Sequence, residues 1–399
     1  MMRFTFNNEE LQYFSEFHKF WEAHHKEILN AGIDIKQAQL AAHALSNATR
    51  KYGREIFRVT SNKTSHEIMT TAKNKKQKPV ASWLDYDFFT EERKAIKSLT
   101  VIVRTAGCQW RNCTICGYWQ EAADVTQADI LAQLEDSLKT SPDEEFILKI
   151  FTSGSFLDDR EIASETRREI AKMVKRRKEI KKLIVETRAE YVNAEKIEDL
   201  KAVENLELAI GLETADDFIR SKYINKGFSF EDYRKAAKIT RDYGATVKTY
   251  LLLKPPFISE KKAIEDVITS AELVSGYSST ISLNLCNVQK YTLLEDLWRR
   301  GYYPPPWLWS AVDAIKEIAR QNVVVISDPV GAGHKRGPHN CGKCDQRIIE
   351  AIKKFNITQD LSVLEHLDEI DCECREVWHA LIKYDDFLFC SQTFFKKKV

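Results

Sequence analysis

Three cysteines, Cys108, Cys113 and Cys116, stand in a C-x4-C-x2-C spacing within the stretch CQWRNCTICGYW. Just upstream, Leu99-Thr100-Val101-Ile102-Val103 is a short β-branched run that reads as a buried strand. Three thiolates on a loop leaving a strand can hold three irons of a 4Fe–4S cluster, because thiolate and iron are both soft and cysteine is the usual cluster ligand. Three protein ligands leave one iron open to a substrate or a cofactor. A three-thiolate zinc site and three unrelated core cysteines compete with this reading, and spacing alone does not separate cluster from zinc. The strand before the loop and the features downstream favour the cluster.

A second set of soft ligands lies towards the C-terminus. Cys341-Gly-Lys-Cys344 is a C-x2-C pair and Cys372-Glu-Cys374 a C-x-C pair. Four sulfurs in two pairs suit tetrahedral zinc, which staples loop-rich segments. A second Fe–S cluster and no metal are the alternatives. His339 could replace one cysteine as a ligand, whereas His334, beside Lys335 and Arg336, suits a phosphate better. Cys286 and Cys390 stand outside both groups and read as core residues.

Other chemistry-bearing residues fall at the ends of apolar runs. Thr152-Ser153-Gly154-Ser155 offers hydroxyls, amides and a glycine that permits close backbone approach, though alone it is a turn signal. Glu186-Thr-Arg188 places a carboxylate and a guanidinium together, equally suited to a salt bridge or a ligand. Glu213, in Gly211-Leu-Glu213-Thr, is a similar candidate, and Lys254 reads as a surface lysine that could bind an anion. Basic runs at residues 73–78, at Lys175-Arg176-Arg177-Lys178 with Lys181-Lys182, and at Lys396-Lys397-Lys398 are by default solvated charge. Tyr302-Tyr303-Pro-Pro-Pro-Trp307-Leu-Trp309 could stack on bases but reads better as a packed proline-rich turn.

The elements that must position these residues alternate. Strands are expected at 99–104, 146–151, 183–187, 206–210, 247–253 and 280–285, with a seventh at 322–326. Helices are expected near 127–139, 160–181, 193–203, 215–222, 229–242 and 259–275. Six βα units in series predict an α/β fold with a parallel sheet. A doubly wound sheet and a barrel both fit, and polar groups after several strands favour a barrel whose site lies at the C-terminal face. Residues 9–57 read as helices, with Leu11, Phe14, Phe17 and Trp21 at three- and four-residue steps.

Composition narrows the class. The 43% hydrophobic content over 399 residues is enough to bury a sizeable core. Lys and Arg total 60 against 59 Asp and Glu, so any anion-binding face must come from local charge distribution. No stretch has the length and apolarity of a membrane span, and MMRFTFNNEE has no secretory pattern. A cytoplasmic protein is expected, whose closely spaced cysteines are ligands rather than disulfides.

Taken in order, these motifs resemble the radical S-adenosylmethionine (SAM) superfamily, although its commonest spacing is C-x3-C-x2-C and this sequence departs by one residue. The closer resemblance is to the archaeosine-forming radical SAM enzymes, relatives of the Elongator catalytic subunit. It rests on Arg104-Thr-Ala-Gly-Cys108, Cys113-Thr-Ile-Cys116-Gly-Tyr, Thr152-Ser-Gly-Ser-Phe-Leu-Asp158, Glu186-Thr-Arg188, Gly211-Leu-Glu213-Thr and Gly337-Pro-His-Asn-Cys341-Gly-Lys-Cys344-Asp. The resemblance implies a partial (β/α)6 barrel over 79–330, a helical appendage over 1–78 and a Cys-rich extension over 331–399. It implies a 4Fe–4S cluster on Cys108, Cys113 and Cys116 and SAM on the open iron. Ser153, Gly154 and Ser155 would meet the SAM amino group, Glu186 and Arg188 its ribose and carboxylate, with Glu213 as a further contact and Ile115 near the adenine. The implied reaction acts on a lysine-modified 7-cyano-7-deazaguanine in the tRNA D arm. It breaks the C–N bond of the lysine moiety and leaves archaeosine. The implied partners are tRNA, the lysine-attaching synthase subunit and an external electron donor. The absence of a recognisable acetyl-CoA-binding domain after the barrel weakens the rival reading, an Elongator-type modification of uridine, and the complete cysteine set with the SAM loops speaks against a non-catalytic tRNA-binding subunit.

Overall fold

A computed structural model describes residues 78–301, 303–321 and 323–384. The expected helices over 9–57, residues 73–77 of the first basic run, Cys390 and residues 396–398 lie outside the described residues.

Eight strands form one sheet in sequential order: β1 (Ala81–Phe89), β2 (Lys94–Ile102), β3 (Phe146–Phe151), β4 (Ile180–Thr187), β5 (Leu206–Glu213), β6 (Thr246–Leu253), β7 (Thr280–Leu285) and β8 (Val324–Ile326). β1 runs antiparallel to β2 and every later pair is parallel. The sheet curls into an open half-barrel. The principal helices are α1 (Gln127–Leu138), α2 (Ser164–Arg176), α3 (Ala194–Glu198), α4 (Phe230–Asp242), α5 (Glu260–Ser275), α6 (Leu293–Arg299), α7 (Leu308–Ala319), α8 (Asp345–Thr358), α9 (Ser362–Glu365) and α10 (Glu373–Tyr384). Helix α8 touches β1, β2 and β8, and so spans the seam between the two ends of the sheet. Among the described residues, no helix is long and apolar enough to cross a membrane.

Both faces of the central strands are covered, which explains their nearly continuous apolar sequences. In β3, Phe146, Leu148 and Ile150 join the core under the helices. Ile147 and Phe151 face the interior instead, with Ile96, Ile184, Ala209 and Tyr250. The helices begin where local chemistry starts them: Thr126 and Asp129 form a capping box on α1, as do Ser229 and Asp232 on α4.

Several details depart from the sequence expectations. Strand β1 was not expected, because Trp83, Leu84 and Tyr86 are exposed and break the buried-strand pattern. The helix expected over 215–222 is a π-helical turn at Ile219–Ile224, and that expected over 160–181 is confined to Ser164–Arg176. The lower interior is charged. Lys182 lies 2.9 Å from Glu91 and 3.3 Å from Glu207, Lys248 lies 3.7 Å from Glu207, and Lys149 pairs with Asp87. Lys182 is therefore no part of a solvated basic run. It is buried, and the rest of that run lies at the start of β4, on the face opposite the C-terminal strand ends.

Candidate active site

The loop carrying Cys108, Cys113 and Cys116 leaves β2 at the mouth formed by the C-terminal strand ends. Its shape is held from within and from both sides. Gly107 has φ +77°, and a Cβ there would lie 2.6 Å from that of Ala122, so only glycine fits the turn. Arg111 folds back, its Nε donating to the Cys108 carbonyl at 2.7 Å. On one side the loop docks on the segment after β5. Trp110 Nε1 donates to Asn225 O at 2.6 Å, Thr114 Oγ1 to Tyr223 O at 2.6 Å, and the Thr114 amide to Ile224 O at 2.9 Å. On the other side, the Gly117 amide donates to Gln289 Oε1 at 2.6 Å and the Leu294 amide to Thr114 O at 3.1 Å.

Burial pushes the Cys113 thiol up, while Lys226 and Arg188 nearby pull it down; burial pushes Cys116 up to about 12. Naked thiolates are therefore unfavourable here, and the loop calls for metal charge to hold them deprotonated. A single tetrahedral zinc would need sulfurs about 3.8 Å apart at Zn–S distances of ~2.3 Å. Among the described residues, the group whose ligand atoms all lie within 4.8 Å is Cys341, Cys344, Cys372 and Cys374. The three loop cysteines are not in that group, and their thiols lie near enough to feel one another's charge.

The Thr152–Ser155 loop packs directly on Cys108. A Cβ on Gly154 would lie 2.5 Å from Cys108 Cα and 2.2 Å from Glu161 Oε1. Glu161, missed in the sequence, joins both loops: it accepts from Thr105 Oγ1 at 2.6 Å and from the Ser155 amide at 2.6 Å. Burial pushes its carboxyl up to about 7. Nothing in the local sequence marks it out, since its partners come from two other segments. The Ser155 hydroxyl is bonded to Thr187 Oγ1 at 2.7 Å, which stitches this loop to the end of β4.

Glu186 projects inward from β4 and is bonded by the Tyr250 hydroxyl from β6; burial pushes its carboxyl up to about 7. The strand between them presents only Ala209 and Gly211, so the two side chains meet across it. Arg188 is buried over the rings of Trp110 and Phe228, at 5.7 and 5.5 Å. It donates to Glu190 and to Lys226 O, each at 2.6 Å. Glu213 sits at a register shift in β5 with φ +72°, and its Oε1 lies 2.6 Å from Lys226 Nζ. Non-glycine residues in this region are strained, and such strain gathers at functional sites. Lys226, also missed in the sequence, occupies space that Gly211 leaves open: a Cβ there would lie 3.0 Å from its Nζ. Ile115 is half-buried against the core.

Lys254 departs from the surface reading. It is buried and paired with Glu260, whose other oxygen accepts from the Trp307 amide at 2.8 Å. Tyr303 donates to Lys254 O at 2.7 Å, so this lysine ties β6 to the proline-rich turn. Tyr303, Trp307 and Trp309 are buried there, as a packed turn requires, and Cys286 is a core thiol.

The four C-terminal cysteines meet at the start of α8 and of α10. Their sulfurs are 4.0 Å (Cys341–Cys344), 3.5 Å (Cys341–Cys372), 3.5 Å (Cys344–Cys374) and 3.4 Å (Cys372–Cys374) apart. These are close to the edges of a zinc–thiolate tetrahedron. Trp309 Nε1 donates to Cys374 Sγ at 3.3 Å and Asn340 Nδ2 to Cys344 Sγ at 3.4 Å, the outer bonds that orient metal ligands. His339 is turned to the Gly337 carbonyl, with Nδ1 at 2.8 Å, and is not one of the four.

The family model of the radical SAM superfamily matches residues 102–267. The protein is 44% identical over 322 residues to archaeosine synthase subunit beta of Methanosarcina acetivorans, covering 78% of this chain and 92% of that protein. It is 42% identical over 300 residues to the protein of the same name from Thermococcus kodakarensis, covering 72% and 92%. Among solved structures, it is similar to the Elp3 of Methanocaldococcus infernus at 18% identity, with a TM-score of 0.44 over 64% of this chain and 62% of that one.

Proposed function

The chain belongs to the archaeosine synthase subunit beta family of radical SAM proteins, and from that membership we propose that it makes archaeosine in tRNA by breaking the lysine C–N bond of a lysine-modified deazaguanine. It is an enzyme of the radical SAM type, and the superfamily implies SAM and a 4Fe–4S cluster. One observation carries the reading of the site: the three-cysteine loop and the Thr152–Ser155 loop are packed against each other at the barrel mouth through Gly154 and Cys108.

Bound together, the cluster and SAM supply a one-electron sulfonium cleavage that yields a hydrogen-abstracting 5′-deoxyadenosyl radical. Cys108, Cys113 and Cys116 would hold three irons. The backbone of Ser153, Gly154 and Ser155 would take the SAM amino group, and Arg188 its carboxylate. Glu186 would receive the ribose, Glu213, held by Lys226, would complete the polar rim, and Ile115 would face the adenine. The barrel interior beside them excludes water from the radical. The substrate hydrogen is on the lysine ε-carbon, an unactivated position that explains the need for a radical. Loss of that hydrogen and of one further electron, returned to the oxidised cluster, would leave a carbon–nitrogen double bond that water cleaves, so that the amidine nitrogen stays on the base and the lysine remainder leaves as an aldehyde. To reach the mouth the base must leave its stack.

The relatives' designation as a subunit supports a complex acting on tRNA, and the lysine-attaching synthase is the partner that would hand over this intermediate. The electron would come from an external donor, and a reaction on tRNA supports a cytoplasmic location. The core is assigned to 79–330, with the N-terminal appendage over 1–78 and the Cys-rich extension over 331–399.

The deciding experiment is an anaerobic reaction of reconstituted protein with SAM, dithionite and lysine-modified tRNA, read by nucleoside mass spectrometry. Archaeosine should appear together with 5′-deoxyadenosine. Production of 5′-deoxyadenosine alone would retain the cofactor and overturn the substrate.

Cys341, Cys344, Cys372 and Cys374 are proposed to hold a structural zinc, since four thiolates at these spacings leave no open coordination position. Metal analysis should find one zinc per molecule besides the cluster iron. Cys344→Ser should remove it and lower unfolding stability by about 4 kcal/mol or more. Full cluster iron without zinc in the unaltered protein would refute the assignment.

A further inference from the structure

The formation of archaeosine brings a tRNA to the mouth, and its phosphates must then lie on the mouth side of the barrel. The two rims of that mouth differ in charge. After β3 and β5 the loops carry exposed Asp159, Asp216 and Asp217, nearly balanced by exposed Arg160 and Lys222. After β7 and β8 cations dominate: exposed Lys290, Arg299, Arg300 and Lys335 and the half-buried Arg336 outnumber the exposed Asp328 and the half-buried Asp296.

This basic rim is a built surface. Glu295, buried on α6, accepts from Arg299 and from Arg336 at 2.9 Å each, and from the Tyr291 amide at 2.6 Å. One carboxylate thus fixes two guanidinium groups from different segments and the turn that leads into α6. Arg336 lies over the Trp298 ring at 4.9 Å, and Trp298 Nε1 donates to Lys335 O at 3.1 Å. Tyr291 beside them is 61% exposed. The surface adjoins the cluster loop through Gln289–Gly117, Lys290–Gln120 and Leu294–Thr114. A phosphate held here is next to the mouth. By contrast, Lys175–Lys178 precede β4, whose eight residues put them roughly 25 Å from its mouth end.

We propose that the β7–β8 rim, through Lys290, Arg299, Lys335 and Arg336 with Tyr291 as a stacking platform, grips the substrate tRNA backbone beside the exposed base. Positive charge supplies affinity for the phosphates, and an exposed aromatic accepts any unstacked neighbouring base. The proposal rests on tRNA being the substrate and adds where it is held.

The test measures fluorescence anisotropy of labelled, unmodified tRNA with the full-length protein between about 50 and 200 mM KCl, at roughly physiological ionic strength and below. Lys290→Glu/Lys335→Glu should weaken binding at least tenfold. It should also flatten the slope of log K against log salt by about 1 to 2, since each lost phosphate contact contributes about 0.7 to 0.9. Cluster absorbance and melting temperature should match the unaltered protein. Lys175→Glu/Lys178→Glu should bind as the unaltered protein does. Unchanged affinity and slope in the rim variant, an equal loss in the distal variant, or no tRNA binding by the unaltered protein would each overturn the proposal. Because the probe is unmodified tRNA, a failure of the lysine-cleaving chemistry would show in the reaction assay and leave this result intact.

Discussion

Cys113→Ala should abolish 5′-deoxyadenosine formation, lowering it at least a thousandfold, while tRNA binding stays within twofold. Cys113 is partly buried beside Lys226 and Arg188, and alanine supplies no electron pair for iron. Two cysteines on this loop do not hold a three-ligand cluster in place. Iron analysis and the visible absorbance of the reconstituted protein should fall together with SAM cleavage. Cys286→Ala is the matched comparison: its thiol is buried, pushed up to about 12 by that burial, and lies beside Tyr303 rather than on the loop. It should retain cluster iron and SAM cleavage. Cleavage that survives in Cys113→Ala would refute the cluster assignment, and loss in both variants would point to a general effect of removing a buried thiol.

Gly154→Ala should reduce SAM cleavage at least a hundredfold with the fold intact. The added Cβ would lie 2.2 Å from Glu161 Oε1 and 2.5 Å from Cys108 Cα. Glu161 cannot swing away freely, because bonds of 2.6 Å hold its two oxygens to Thr105 and Ser155. Cys108 Cα is backbone. Relief must therefore move the cysteine loop or the loop assigned to the SAM amino group. A displacement of about 1 Å at reacting groups costs on the order of a hundredfold in rate. Gly276→Ala provides the contrast, since its Cβ would meet nothing within 4 Å. Gly154→Ala should keep the circular dichroism of the unaltered protein, show weaker SAM binding in an equilibrium assay and incorporate less iron. Unaltered SAM binding and cleavage would show that the two loops are not packed as described.

Much of the site was legible because its residues are close together in sequence. The cysteine spacing, the β-branched run before it and the two C-terminal pairs are local patterns, and local patterns survive without coordinates. The serial βα alternation led to a parallel sheet, and the resemblance identified it as the half-barrel observed. Other residues were misread because their meaning depends on distant partners. Lys254 looked like a surface lysine until Glu260 and the 303–307 turn enclosed it. Lys182 looked like part of a basic run until Glu91 and Glu207 met it inside the barrel. Lys226 and Glu161 carried no motif, yet they brace the polar rim and the two loops of the mouth.

By itself, then, the sequence determined the cysteine spacing and the serial order of the β2–β8 strands and the helices between them, since hydrophobic periodicity and thiol spacing act over a few residues. Only the tertiary structure decided which charges are buried against one another, which rim of the mouth is basic, and that Cys341, Cys344, Cys372 and Cys374 converge. Those outcomes depend on how the sheet curls and where α8 crosses its seam. The curl brings together groups far apart in sequence, and electrostatic energy depends on separation in space.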